Sequence, residues 1–439
     1  MTLWGGRFSA SPDATMWEYT VDRADRRLLA HDVSGSIAHV QMLTTVGLLS
    51  VVEGDSLVKG LRTIAEEAST GSFRFTENDE DVHSAVERRL IELVGEAGEK
   101  LHTGRSRNDQ IALDLRLYLR AAVVDRTADL TGLIDALIEQ AEKHALTPVP
   151  TYTHLQQAQT STLGHHLLAH AWAIRRDLER LIDLERRLSV SPLGAGASAG
   201  SSLPLDPGLT ARSLSFDKPF ANALDAVGSR DLIAEFGFVA TQSMVHLSRL
   251  AEELVIWATS EFGWVQFADD FTTGSSALPH KKNPDVAELA RGRAAGAIGH
   301  LTALLALQKG LPLSYNRDLQ EDKPALFWLD DSWGSSARAL TRMVATATFD
   351  PPPPSSWTDA LGIAENLVRR GIAFRTAHEM VGSLVARLLA DERTLPEAGP
   401  EDLASAGLEA QDLLVQPSNP GLTVEEQIAQ LRRAPDDSR

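Results

Sequence analysis

The stretch "IAEFGFVATQSMVHLSRLAEELVIWA", residues 233–258, decides the fold class. Its apolar residues Ile233, Phe236, Ala240, Met244, Leu247, Leu250, Leu254 and Ala258 recur at steps of three and four, which lines them up along one stripe of an α-helix. The same spacing returns at Leu130, Leu133, Leu137 and Ala141, and again at Leu167, Ala171, Ile174, Leu178, Leu181 and Leu188. These stripes outlast an average globular helix, and long helices with near-heptad spacing bury one another's faces in a bundle. No sustained period-two alternation competes, so the expected class is all-α and a sheet is not expected as the main layer.

Composition narrows the function. The chain has 439 residues, 43% apolar and 23% charged, an ordinary globular balance with enough length for roughly two or three domains. A net charge of -18 argues against nucleic acid and anionic membrane as partners, so any anion site must be built locally against the global field. There is no cysteine, which excludes disulfides and thiolate metal sites and fits a reducing compartment. No signal-peptide layout is read at the N-terminus, and the longest apolar runs, such as Leu301 to Leu307, are far too short for a membrane span. A cytoplasmic protein is expected.

Two punctuated stretches interrupt the helices. Ser189 to Gly208 is rich in Gly, Ser and Pro, but Gly194, Gly196 and Gly200 miss the dinucleotide-loop spacing and no strand precedes them, so a plain loop is expected. "DPPPPSS", Asp350 to Ser356, cannot continue a helix. With a loop near Gly104, the expected organisation is a helical domain over 1–104, a long-helix bundle over 105–350 and a small helical domain over 351–439, whose last residues, "RRAPDDSR", fray.

Five polar clusters fall at helix starts or in loops, where function concentrates. "NDEDVHSAVERRL" contains Glu80-x-x-His83, a di-iron ligand spacing, but no second Glu-x-x-His exists, so a capped acidic helix start is the better reading. "LHTGRSRNDQ" sets Arg105 and Arg107 around Ser106, with Asn108 and Asp109 following; forked guanidiniums recognise carboxylates, and Ser106 or Asn108 can cap the next helix. "TYTHLQQAQT" places His154 among Thr153 and Gln156, which can hold a ligand or fix a tautomer. In "GSSALPHKKNPD", Asn283-Pro284 reads as an N-cap followed by an N1 proline, with Asp285 and Glu288 in the first turn. Lys281 and Lys282 then precede a helix N-terminus, and ammonium plus helix end makes an anion site over which Ser275 or Ser276 can fold. "LSYNRDLQEDK" adds Tyr315, Gln320 and Lys323. Removing a proton beside a carboxylate creates a dianion that needs fixed donors and a cation, so a base, an acid and such a site together suit elimination.

Together, "LWGGRF" (Leu3–Phe8), "HDVSGSIAH" (His31–His39), "HTGRSRNDQ", "YTHLQQAQ", "TGSSALPHKKNPD" and "YNRDLQEDK" resemble, in order, the motifs of the argininosuccinate lyase family of the fumarase/aspartase superfamily. The resemblance implies a three-part, mainly helical subunit with a central five-helix bundle. It implies a homotetramer with a twenty-helix core and active sites shared among three subunits. The implied reaction is reversible cleavage of argininosuccinate to arginine and fumarate, without metal or organic cofactor. Carried over by motif, Ser275 would take the Cβ proton, Lys281 with Asn283 would stabilise the aci-carboxylate, and His154 paired with Glu288 would assist proton transfer or binding. Ser36, His83, Arg107, Asn108, Thr153, Tyr315, Gln320 and Lys323 match substrate-contacting positions. Departures are Pro150-Thr151 where the family usually has Pro-Gly, Thr160 where a Pro usually ends the motif, "LPHKKNP" with His280, "LGIAEN" at Leu361–Asn366, and an atypical tail. They leave open a related C–N lyase releasing fumarate from another N-substituted aspartate, while retention of Ser275, Lys281, His154 and Glu288 argues against a catalytically silent structural relative.

Overall fold

The structure, a computed structural model, describes residues 12–415 and 421–433. "LWGGRF" at Leu3–Phe8 lies outside the described residues, as does most of the tail expected to fray. Helices dominate, in chain order α1 (Ala14–Thr20), α2 (Leu29–Thr45), α3 (Val51–Ser69), α4 (Val82–Val94), α5 (Arg107–Lys143), α6 (Leu163–Leu188), α7 (Pro207–Ser213), α8 (Ala223–Gly228), α9 (Asp231–Trp257), α10 (Asp285–Gln308), α11 (Asp322–Thr346), α12 (Ala360–Arg369), α13 (Phe374–Ala390), α14 (Pro400–Ala406) and α15 (Val424–Leu431). No helix among the described residues is long and apolar enough to cross a membrane.

The three stripes read from the sequence are the buried faces of α5, α6 and α9. Leu130, Leu133, Leu137, Leu167, Leu181, Leu188, Phe236, Met244, Leu250 and Leu254 are all 0% exposed. Burying each such side chain contributes about 1.5–3 kcal/mol, which outweighs the modest intrinsic propensity of any single helix. Ala258, the last residue of the opening stripe, lies just past the end of α9 and is half-buried.

The chain folds as two compact units, each assembled from three separate stretches. The first comprises residues 1–128, 179–244 and 293–335, and the second 129–178, 245–292 and 336–439. The division falls inside the five longest helices, so α5, α6, α9, α10 and α11 each contribute residues to both. In the first unit, Trp333 of α11 is fully buried, packs edge-on against Phe236 of α9 and donates its indole N–H to Ser243 Oγ at 2.9 Å. A separate core joins α2, α3 and α4 through Val33, Leu43, Leu57, Leu61, Val82 and Leu90. Ser50 and Glu53 form a reciprocal capping box that starts α3. In the second unit, Gln140 of α5 donates to the Val344 carbonyl of α11 at 2.9 Å, and Asp177 of α6 accepts from His246 of α9 at 2.8 Å. The C-terminal helices α12 to α14 close over Ile363, Leu367, Val381, Leu384, Leu388 and Leu403.

A β-hairpin stands among the helices without forming a main layer, in keeping with the mainly helical expectation. Strands β1 (Pro148–Thr153) and β2 (Gln156–Thr162) pair antiparallel, with Thr153 opposite Gln156. The hydrophobic pattern does not announce it, because most of its residues are polar and only Val149 and Pro150 are buried. The Gly-rich stretch after α6 is mostly loop, as expected, but it opens with a two-residue strand, Val190–Ser191, paired parallel with Lys218–Pro219, and ends in the first residues of α7.

Candidate active site

The second and fifth polar clusters meet the first in one small cavity of the first unit, of about 100 Å3. Asp22, Asp25, Glu80, Asp81 and His83 line it from the N-terminal segments, Arg107, Asn108 and Ile111 from the start of α5, and Tyr315, Arg317, Gln320 and Lys323 from the segment leading into α11.

Helix α5 begins here because Ser106 caps it. The Ser106 carbonyl accepts from Gln110 N–H at 3.2 Å, its hydroxyl accepts from Asn108 N–H at 3.2 Å, and Asp109 reaches back to the Ser106 N–H at 2.9 Å. The other oxygen of Asp109 accepts the Gly194 and Gly196 N–H groups at 3.0 and 2.9 Å, and Asn108 donates to the Ala197 carbonyl at 3.0 Å. Gly194 and Gly196 have φ of +105° and +61°, so the loop needs glycine to turn its N–H groups inward. Arg107 is thereby presented to the cavity, where its Nη1 lies 2.8 Å from Glu80 and 3.1 Å from Asp81.

Beneath Arg107 lies a buried acid–imidazole set. His83 Nδ1 is 2.5 Å from Asp32 Oδ2 and 3.7 Å from Asp114, and Gln110 donates to Asp32 at 2.7 Å. Burial works to raise Asp32, but His83, Arg105 and Gln110 outweigh it and hold the carboxyl low. Burial works to lower His83, and the Asp32 carboxylate reverses it, so the imidazolium is favoured. Burial and then the Asp32 charge push Asp114 well above the usual carboxylate range. Asp25, buried and beside Asp22, is pushed up to about 7.

Lys323, 2% exposed, anchors the other wall through Asp22 at 2.9 Å and Asp322 at 3.3 Å. Burial would lower its ammonium, and these two carboxylates hold it above the usual range. Tyr315 follows Ser314, whose φ of +70° is strained for a non-glycine residue. Gly228 packs against that backbone so closely that a Cβ there would meet the Ser314 carbonyl oxygen at 2.5 Å. Gln320 donates to the Thr20 carbonyl at 3.4 Å. Ser36 does not line the cavity; it is fully buried and its hydroxyl accepts from Arg105 at 2.9 Å. Glu80 precedes α4 and therefore does not share a helix face with His83, so Glu80-x-x-His83 is not a two-ligand helical pair.

The third and fourth clusters belong to the second unit. Thr153 and His154 stand exposed at the tip of the β1–β2 hairpin. His154 and Leu155 have φ of +55° and +57°, the two positive angles that a two-residue hairpin turn of this hand demands. The loop carrying Ser275 and Lys281 is closed by a short antiparallel ladder in which Thr273 pairs with Asn283 and Gly274 with Lys282. Ser275 Oγ accepts from Ala277 and Leu278 N–H at 3.3 and 3.1 Å, leaving its proton to be directed elsewhere. Lys282 pairs with Asp269, whereas no partner among the described residues engages the exposed Lys281 ammonium. Asn283 is not the N-cap expected from the sequence. Its backbone belongs to the ladder, and the Pro284 carbonyl accepts the first helical bond, from Glu288 N–H at 3.1 Å. Glu288 lies in the first turn of α10, 3.9 Å from Arg291, and no hydrogen bond or ion pair within the chain joins it to His154.

Sequence reading missed Asp22, Asp25, Asp32, Asp114 and Gln110. The last four lie on helices or helix starts as ordinary polar residues, and only their burial sets them apart. Arg317, within a quoted motif, was likewise not singled out and lines the cavity.

Chemically, one region offers a confined, mixed-charge cavity and the other a hydroxyl and a free ammonium before a helix N-terminus. Such an arrangement suits proton removal next to a carboxylate, and together with the helical fold it defines a lyase of the fumarase/aspartase type. Residues 6–299 match the model of the lyase family and residues 357–426 that of the argininosuccinate lyase C-terminal region. The argininosuccinate lyase of Frankia casuarinae is 48% identical, over 98% of this chain and 97% of that protein. That of Thermobifida fusca is 45% identical over 100% and 96%. Among solved structures, EDDS lyase in complex with formate is 26% identical and superposes with a TM-score of 0.80, covering 94% of this chain and 87% of that one. A class II fumarase from Schistosoma mansoni, at 15% identity and a TM-score of 0.76 over 93% of both chains, shares the fold. The chain belongs to the argininosuccinate lyase family. It is a C–N lyase.

Proposed function

We propose that this lyase catalyses the reversible β-elimination of argininosuccinate to L-arginine and fumarate, as a step of arginine biosynthesis in the cytoplasm. The observation that carries the reading is the 48% identity, over nearly the full length, with an argininosuccinate lyase, joined to a loop that offers Ser275 and a Lys281 unpartnered among the described residues. Ser275, its own hydroxyl proton first passed to His154 and the alkoxide stabilised by the Lys281 ammonium and the N-terminus of α10, takes the Cβ proton, and the electron pair left behind delocalises into the adjacent carboxylate. Lys281 and Asn283 stabilise that aci-carboxylate. The Cα–N bond then breaks, its electrons return to the guanidino nitrogen, and fumarate forms. His154, assisted by Glu288, supports the proton transfers. Arg107 and Lys323 suit the carboxylates of the substrate, and Glu80 and Asp22 suit its guanidinium. Thr153, Asn108, Tyr315 and Gln320 complete the binding set, with His83 beneath and Ser36 acting through Arg105.

The three-part subunit, with divisions near Gly104 and Asp350, assembles as a homotetramer that completes each site with residues from several copies. Support comes from apolar side chains left in solvent along the bundle helices: Phe238, Leu289, Ile298 and Leu305 are 47%, 59%, 53% and 56% exposed. A partner copy in turn offers Glu288 a route to His154.

The test is incubation of purified protein with argininosuccinate while fumarate is followed by ultraviolet absorbance. Fumarate and arginine are expected in equal amounts. Fumarate only from another N-substituted aspartate would move the assignment to a sister activity, and no fumarate from any succinyl amine would sink it.

A further inference from the structure

Outside both halves of the proposed site, α6 and α9 bring together His166, His170 and Glu253 within the second unit. His166 and His170 are four residues apart on α6, which sets both imidazoles on one helix face. Each Nε2 lies 2.7 Å from the same oxygen, Oε2 of Glu253. All three residues are half-buried, so water and ions reach them.

We propose that His166, His170 and Glu253 form a binding site for a divalent transition-metal ion of the zinc class. Two imidazole nitrogens and one carboxylate oxygen are a recurrent three-ligand set for zinc, with the fourth position left to water. In a tetrahedral site with bonds of about 2.0–2.1 Å, ligand atoms stand about 3.3 Å apart. Each nitrogen need only move about 0.6 Å farther from Oε2 than its present 2.7 Å, and the three ligand atoms already lie within 4.8 Å of one another. Both rings would bind through Nε2 as neutral imidazoles, with the ring proton on Nδ1. The donors carry one formal negative charge, and the chain's net charge of -18 favours a cation. Burial works to raise Glu253, and the two imidazoles hold it far below the usual range, so the carboxylate is ready to ligate. Trp257 packs edge-on against His166 at 5.0 Å and orients that ring.

The other acid–imidazole cluster, Asp32, His83 and Asp114, differs on each count. It is nearly sealed from solvent, faces Arg105, and belongs to the cavity already described. The metal proposed here joins α6 to α9 and takes no part in the elimination.

The full-chain protein, stripped with a chelator, is titrated with Zn2+ and separately with Co2+. Wild type is expected to bind one equivalent per chain more than His166→Gln or Glu253→Gln, to develop the visible bands of tetrahedral Co2+, and to unfold at a higher temperature with Zn2+. Both variants are expected to keep full lyase activity, lose the bands and lose the thermal shift. Equal uptake by wild type and variants, or uptake without tetrahedral bands, would overturn the proposal. Should one variant fail to fold, His170→Gln gives the same comparison.

Discussion

The cavity of the first unit and the Ser275–Lys281 loop of the second solve opposite problems. In the cavity, every described cation has a carboxylate within reach: Arg107 has Glu80, Arg317 has Glu80, and Lys323 has Asp22. Lys323 is buried, Arg107 half-buried and Arg317 exposed, yet each is paired with a carboxylate before any substrate arrives. In the loop, Lys281 is exposed and, among the described residues, unpaired, and Ser275 Oγ accepts two backbone N–H bonds with no acceptor for its own proton among the described residues. Binding needs donors already oriented, whereas the group that meets a developing negative charge must not be neutralised in advance. On the proposed function, the difference teaches that local pairing, rather than residue type, separates a binding wall from a reacting group.

Four outcomes would break or sharpen this contrast. Ser275→Ala should lower turnover by roughly 10²–10⁴-fold with little change in substrate affinity or unfolding temperature, read by fumarate release and calorimetry. Near-normal turnover would remove Ser275 as the base and with it the loop's claim to the chemistry. Lys323→Met should instead act on the fold. It strips a buried ammonium from Asp22 and Asp322, so urea unfolding should show a loss of about 3–5 kcal/mol; a stable variant with only a binding defect would mean the cavity's charges are not structural.

Asp25 tests the cavity by pH. A carboxyl raised on folding from 3.8 to about 7 gives stability that is complete below its unfolded value and is lost as pH rises through about 7. Asp25→Asn should therefore gain on wild type steadily between those limits, and parallel stability–pH curves would show the group to be unperturbed. The smallest effect belongs to the hairpin tip. Leu155, 72% exposed with φ of +57°, should become easier to accommodate as glycine, for a gain of about 1 kcal/mol or less by thermal unfolding.

Much of this was legible in one dimension. The stripes through Leu130, Leu167 and Ile233 are the buried faces expected of them, because an apolar face at a period of 3.6 has few other ways to leave water. The polar clusters stood out because they exceed what capping requires. Asp32 and Asp114 were missed for the converse reason: a polar residue on a helix reads as solvent-facing, and only packing reveals that α2 and α5 enclose it. The β1–β2 hairpin escaped notice because its strands bury too little apolar surface to impose a period of two.

The Asn283-Pro284 pair marks the boundary between the two kinds of information. By itself the sequence determined that a helix starts there, since proline tolerates only the first positions of a helix. It also determined the all-α class and the motifs of the lyase family. Only the tertiary structure decided that Asn283 is taken by the ladder with Thr273, that the Asp32 carboxylate shifts His83 toward the protonated form, and that three of the five polar clusters share one cavity while the other two belong to the second unit. The physical reason is range. Helix propensity, capping and hydrophobic period act over a few residues, whereas burial, ion pairing and pKa depend on which distant segments arrive at the same place.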